Sequence, residues 1–197
     1  DVLIPLLARA SAAGLHGAIH AIGDAATSLV LDAFEATAAR GSVEHAQLVS
    51  APDVQRFAAL GLTASVQPEH AMDDRDVADR HWAGRTDRAF PLRELHQAGV
   101  RLAFGSDAPV APLDPWSAVG AAVERTRDDR PAWHPEQRLP VEVALAASTR
   151  RRTTVAEGDP ADLAVLDADP LTTRGPALRT MGVSGTMLAG RWTHRTV

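Results

Sequence analysis

Cysteine and tyrosine are absent from this chain, and phenylalanine and tryptophan contribute only four residues each. Without cysteine, disulfides and thiolate metal sites are excluded, while the redox compartment stays open. No apolar run is long enough to span a bilayer, so no membrane partner is expected. Positive charge is also in short supply. Twenty basic residues against 25 acidic ones leave a net charge of −5, which offers no footprint for nucleic acid. The first residue is Asp1 rather than methionine, so the expected cytoplasmic location leaves room for a targeting segment upstream. What remains, 45% hydrophobic and 23% charged over 197 residues, is the composition of a soluble globular protein. That length suits one good-sized domain, or one domain with a small appendage.

The stretch Arg101–Pro112, RLAFGSDAPVAP, organises the reading. Val100–Phe104 is mostly apolar, as a strand buried on both faces should be. Gly105 lets the backbone turn, and Asp107 sits just past the strand end, where a carboxylate must be solvated, paired or bound to a cation. Two earlier strand-like runs also end in metal-ligand types, His20 in GLHGAIHAIGD and His45 in GSVEHAQ.

Around these runs, helix and strand signals alternate. Asp1–Ala13 has apolar residues at helical spacing (Val2, Leu3, Leu6, Leu7, Ala10) and stops at Gly14. Asp24 reads as the N-cap of a helix over Ala25–Ala39, with Leu29, Val30, Ala33 and Phe34 on its buried face. Ser50, Pro52 and Asp53 open a helix that ends at Gly61, and Leu62–Gln67 is the next strand. Pro68–Thr86, dense in Asp and Arg, reads as a long loop over the site. Leu92–Ala98 is a helix, Asp114 and Pro115 start another that runs to about Arg127, and Pro140–Ser148 begins a third. Alternation at this spacing calls for a parallel sheet with right-handed crossovers. Beyond Gly158 the runs Asp162–Leu166 and Gly185–Thr193, the second bent at Ala189-Gly190, suggest a small β module.

Strands of a parallel barrel all end at one rim, so His20, His45 and Asp107 are expected to converge there on a divalent metal, with zinc as the choice for imidazole and carboxylate. Each has a plainer alternative. Either histidine could be a core residue bonded to a carbonyl, and Asp107 could cap a turn. His70, in QPEH, also falls at this rim and is a candidate for substrate binding. His16, flanked by Gly14 and Gly17, reads as a strand residue roughly 13 Å from His20 and is left out. His81, His96, His134 and His194 read as surface or packing residues. Glu44 is expected on the strand face opposite His45. Ser106 lacks the G-x-S-x-G elbow of a serine nucleophile.

In order, HAIGD, VEHAQ, SVQPEH and FGSDAPV resemble the second half of the metal-dependent amidohydrolase superfamily. Their wording is similar to the amidohydrolase family 3 branch, which includes N-substituted formamide deformylases. The resemblance implies an α/β fold: the C-terminal half of a (β/α)8 TIM-type barrel, strands five to eight, over residues 1–150. Residues 151–197 then form a β-sandwich segment, with ADLAVLD and GTMLAGRW as returning strands. It also implies hydrolysis of a small amide-like C–N bond by metal-activated water. His20 and His45 become metal ligands, Asp107 a ligand that handles the water proton, and one or two ions serve the complete enzyme. The H-x-H pair that belongs after the family's first strand, and the carboxylated lysine or other acid after its fourth, have no counterpart here. The chain therefore reads as beginning at the helix before strand five, and Arg150–Glu157 is shorter and more basic than the usual connection. Four strands cut from a closed barrel would expose two edges and an apolar interior, to be covered by the missing half-barrel or a second copy. The competing expectation is a catalytically silent remnant holding at most a weak metal site.

Overall fold

Helix and strand alternate because apolar positions switch between spacings of about 3.6 and 2 residues, with glycine and proline at the changeovers. The computed structural model describes residues 2–152 and 154–196. Asp1, Thr153 and Val197, and so the first residue of the expected opening helix and one position of the Arg150–Glu157 connection, lie outside the described residues. The order is α1 (Leu3–Ala12), β1 (Gly17–Ala21), α2 (Asp24–Thr37), β2 (Gly41–His45), α3 (Ala51–Ala59) and β3 (Thr63–Val66). There follow α4 (His70–Asp73), α5 (Arg75–His81), α6 (Leu92–Gln97), β4 (Arg101–Phe104), α7 (Pro115–Glu124) and α8 (Val141–Ser148). The chain closes with β5 (Leu163–Leu166), α9 (Pro176–Arg179), β6 (Val183–Leu188) and β7 (Arg191–Arg195).

Two helix starts follow directly from their caps. Ser50 Oγ accepts from the Asp53 N–H at 3.3 Å and Asp114 Oδ1 from the Trp116 N–H at 2.9 Å, each with a proline in the first turn. Asp24 behaves differently from expectation. Gly23 is the cap, and Asp24 is the first helical residue, its carboxylate 2.8 Å from Arg85.

The four strands β1-β2-β3-β4 form a parallel sheet in that order. Ile19, Val43, Ala64 and Leu102 stand in one row across it. That face packs on Val30, Leu31 and Phe34 of α2, Val54 and Phe57 of α3, Leu95 of α6 and Val119 of α7. Burial of each large side chain contributes about 1.5–3 kcal/mol. The predicted helical stripes are shifted in detail, since Leu29 and Leu6 are exposed while Leu31 and Leu7 are buried. At the start of the sheet Gly17 pairs with Gly41, and a Cβ on Gly41 would lie 1.9 Å from the Gly17 carbonyl oxygen.

The opposite face carries Ala18, His20, Ser42, Glu44, Thr63, Ser65, Arg101 and Ala103, all exposed or half-buried. This corrects the expectation of an uncovered apolar interior. Strand alternation sends the apolar set to the helices and leaves a small, polar surface open. β1 and β4 each pair with only one neighbour among the described strands.

Two further expectations are corrected. Pro68–Thr86 is not an open loop: it contains α4 and α5. Its apolar contacts are few (Ala71, Met72 and Ala78, with Trp82 half-buried beside them), and polar clamps from the segment after α7 hold the rest. Arg127 pairs with Asp73, Arg130 with Asp76 at 2.9 Å, and the Trp133 indole N–H donates to Asp79 at 3.1 Å. Gly185–Thr193 is not one bent strand. Ala189 and Gly190 both take positive φ, 49° and 76°, which turns the chain into the β6–β7 hairpin. The antiparallel sheet β5-β6-β7 is anchored through Leu178 and Met181, which enter the main core. No helix among the described residues is long and apolar enough to cross a membrane.

Candidate metal centre

Every histidine or carboxylate of interest sits at the C-terminal ends of the parallel strands. His20 is the penultimate residue of β1, His45 the last of β2, His70 the first of α4 after β3, and Asp107 lies in the loop after β4. Alternation alone would put His45 with Val43 on the helix-covered face. Instead His45 and Ala46 adopt positive φ, 73° and 45°, and the His45 ring leaves that pattern. Asp107 also takes a left-handed backbone, φ 55°. Such conformations are costly for non-glycine residues and cluster where geometry is tied to function. Glu44 is on the open face, in register with His20, and accepts from Ser42 Oγ. Because the His45 ring leaves the helix-covered face to meet His20, the expected opposition of Glu44 and His45 does not hold.

One ligand atom from each of His45, His70 and Asp107 lies within 4.8 Å of the others. His45 and His70 are buried, their rings nearly parallel at a 17° interplanar angle, while Asp107 is exposed. His20 adjoins the cluster, with Nδ1 2.7 Å from His45 Nε2. Of the expected trio, His45 and Asp107 converge and His20 touches His45. His70, read from sequence as a substrate contact, stands within the cluster itself. Its position just past β3, at the same rim as the other strand ends, was the signal available for that role.

The surroundings suit a cation. His45 Nδ1, His70 Nε2 and Gln67 Oε1 are buried with no hydrogen-bond partner, an expensive state unless something else engages them. Two imidazoles and one carboxylate form a donor set typical of zinc and similar divalent metals. Burial, and then the neighbouring His20, lower the His45 pKa below the ordinary 6.5, with Asp107 opposing. The ring is thus neutral at pH 7, with a lone pair to offer. The Gln47 side-chain amide lies 3.4 Å from His70 Nδ1, and with its oxygen turned to the ring it would accept from Nδ1–H and leave Nε2 free to bind.

The remaining histidines stay outside the cluster. His16, His81, His96 and His194 are exposed, and His16 precedes β1 rather than lying in it. His134 packs against Trp133 and bonds Glu136 at 3.0 Å. Ser106 makes no hydrogen bond to a histidine among the described residues. A cleft of about 530 Å³ lies at the other end of the sheet between Leu62, Val100, Arg101, Glu142 and Arg151. The cluster itself rests on an open rim.

The sequence profile of the amidohydrolase family matches residues 2–194. The chain is 38% identical over 151 residues to the protein LONG AFTER FAR-RED 3 of Arabidopsis thaliana, covering 71% of this chain and 26% of that protein. It is 29% identical over 204 residues to an N-substituted formamide deformylase of Arthrobacter pascens, covering 94% of this chain and 38% of the other. Among solved structures, an uncharacterized metal-dependent hydrolase from Pyrococcus horikoshii superposes with a TM-score of 0.70 at 34% identity, covering 76% of this chain and 31% of that one. The chain spans 26–40% of the length of the curated relatives it matches.

Proposed function

The chain belongs to the amidohydrolase family, and on that footing we propose that it forms the second half of a (β/α)8 hydrolase barrel acting on small amide-like C–N bonds. Residues 1–150 would supply barrel strands five to eight, and residues 151–197 part of a β-sandwich. Support comes from the sequential parallel order β1-β2-β3-β4, a single helical layer on one face, and polar residues on the other. The free edges of β1 and β4 are where the other half-barrel, or a second copy, would pair.

The observation that carries the chemistry is the convergence of His45, His70 and Asp107. These three would hold a divalent metal, zinc being the best match to the donors, with His20 completing the set once its bond to His45 is exchanged. A cation bound there supplies Lewis acidity toward a carbonyl and acidifies water to a pKa of about 7. Asp107, exposed at the rim, accepts the proton of the attacking water on a carboxylate oxygen and returns it to the departing nitrogen. His45, neutral at pH 7, and His70 would each offer a ring nitrogen to the same ion. All 20 cationic side chains are arginine, so a carboxylated lysine is not among the ligands this stretch can offer.

Calorimetric zinc titration of the chain, paired with amine release from an N-substituted formamide, tests the reading. One ion bound per chain, lost in His45→Ala and His70→Ala, is expected. Unchanged zinc uptake in both variants would refute the site. Zinc binding without hydrolysis would favour the silent remnant.

A further inference from the structure

His70 is held from an unexpected direction. The residue before it, Glu69, is a carboxylate only 6% exposed. Both its oxygens accept from Arg179 Nη2, at 2.8 and 2.9 Å, and Arg127 approaches at 3.4 Å. Arg179 lies 110 residues downstream, at the end of α9, in the segment that leads into β6. Its own side chain is 15% exposed, and Nη1 donates to the Ser117 carbonyl of α7 at 3.2 Å.

The path of Arg179 toward the site is built into α7. Gly120 lies under its stem, and a Cβ there would stand 2.1 Å from Arg179 Cγ and 3.2 Å from its Cβ. Any larger residue at 120 would displace the arginine from Glu69. Glu69 is also tied into the turn that presents His70. Its carbonyl accepts from the Met72 and Asp73 N–H groups at 2.8 and 3.1 Å. A buried carboxylate with a two-oxygen guanidinium partner has little freedom, since breaking the pair strands a charge away from water.

We infer that Arg179 is a positioning residue for the metal centre: through its ion pair with Glu69 it fixes the turn that carries His70, so the C-terminal segment helps set the site. The inference rests on the proposed role of His70 as a metal ligand. Partners of this kind typically change metal affinity by about 10–100-fold when removed.

The test is zinc affinity of the whole chain by competition with a chromophoric chelator, with the cobalt(II) absorption spectrum as a second readout. Arg179→Met and Glu69→Gln are each expected to weaken zinc binding about 10–100-fold and to shift the cobalt bands, with Arg179→Lys recovering part of the affinity. Arg130→Met, which removes the Asp76 clamp on the same excursion, serves as the control for general loosening and should leave both readouts near those of the unsubstituted chain. Circular dichroism identifies any variant that fails to fold. If Arg179→Met unfolds, Arg179→Lys and Glu69→Gln carry the decision. Affinity and spectrum unchanged in folded Glu69→Gln and Arg179→Met, while His70→Ala loses zinc, would overturn this inference alone. If His70→Ala also binds zinc normally, the ligand assignment itself falls.

Discussion

His20 Nδ1 and His45 Nε2 stand 2.7 Å apart, so two imidazoles 25 residues apart in sequence share one hydrogen bond at the end of adjacent parallel strands. Across this contact one ring donates and the other accepts. An ion that engages His45 through Nε2 displaces that bond and one that engages the unpartnered Nδ1 leaves it intact, so the two rings should contribute unequally, His20 the less. His45→Ala removes a buried donor and is expected to weaken zinc binding at least 100-fold. His20→Ala removes the ring that completes the set but leaves His45, His70 and Asp107 in place, and should cost only about tenfold. Equal losses in the two variants, measured by chelator competition, would contradict this ranking.

The metal-free chain should become less stable in mild acid. The folded-state pKa of His45 lies below 6.5, chiefly through burial and then through His20. The unfolded chain therefore takes up a proton first. The contribution of the neutral ring is fully present above pH 6.5 and is lost as pH falls through the lower folded-state value. Urea unfolding at pH 7.5 and pH 5 measures it. The stability drop should be smaller in His45→Gln than in the unsubstituted chain, and an identical drop would exclude His45 as a source.

Two glycines should prove intolerant for different reasons. Gly41→Ala would drive a Cβ to 1.9 Å from the Gly17 backbone oxygen, which has no soft way to yield. More than about 3 kcal/mol of destabilisation is expected, at the upper end of overpacking costs. Gly120→Ala meets the Arg179 side chain instead, so it should cost about 1–3 kcal/mol while also weakening zinc binding. Chemical denaturation of both variants, with zinc affinity for the second, checks these values.

Arg125 offers the reverse case. It is fully buried, donates from Nε to the Trp133 carbonyl at 2.9 Å, and has two guanidinium nitrogens without partners. Burial pulls its pKa down to about 10, and the distant Glu136 charge only partly offsets this. The Trp133 ring, 5.7 Å away, gives some compensation. A cation–π contact and one hydrogen bond are worth about 2 and 1 kcal/mol, less than the several kcal/mol of burying an uncompensated charge. Arg125→Met should thus match or exceed the unsubstituted chain in thermal unfolding midpoint. A clear fall would show that Arg125 contributes more than its visible contacts.

Much of the framework could be read from residue order, because its signals are local. Ser50 and Asp114 cap helices as their side chains dictate, and the apolar strands fall between glycine stops. The meeting of His45 and Asp107 followed from strand ends sharing a rim. Less legible were α4 and α5, whose short helices are held by distant ion pairs such as Arg130–Asp76 rather than by an apolar stripe. The turn of His45 away from strand alternation was also hidden, since a positive φ at a non-glycine residue leaves no compositional trace. His70 reads from sequence as a substrate contact for a different reason. Its approach to His45 depends on the turn after β3 and on Glu69, whose partner lies 110 residues away.

The central claim is that three side chains from three strand ends bind one ion. Zinc anomalous diffraction from crystals of the chain tests it most directly. The account predicts a single strong peak about 2.0–2.2 Å from a nitrogen of His45, a nitrogen of His70 and an oxygen of Asp107. Ordered zinc elsewhere, with His45, His70 and Asp107 left uncoordinated, would contradict it.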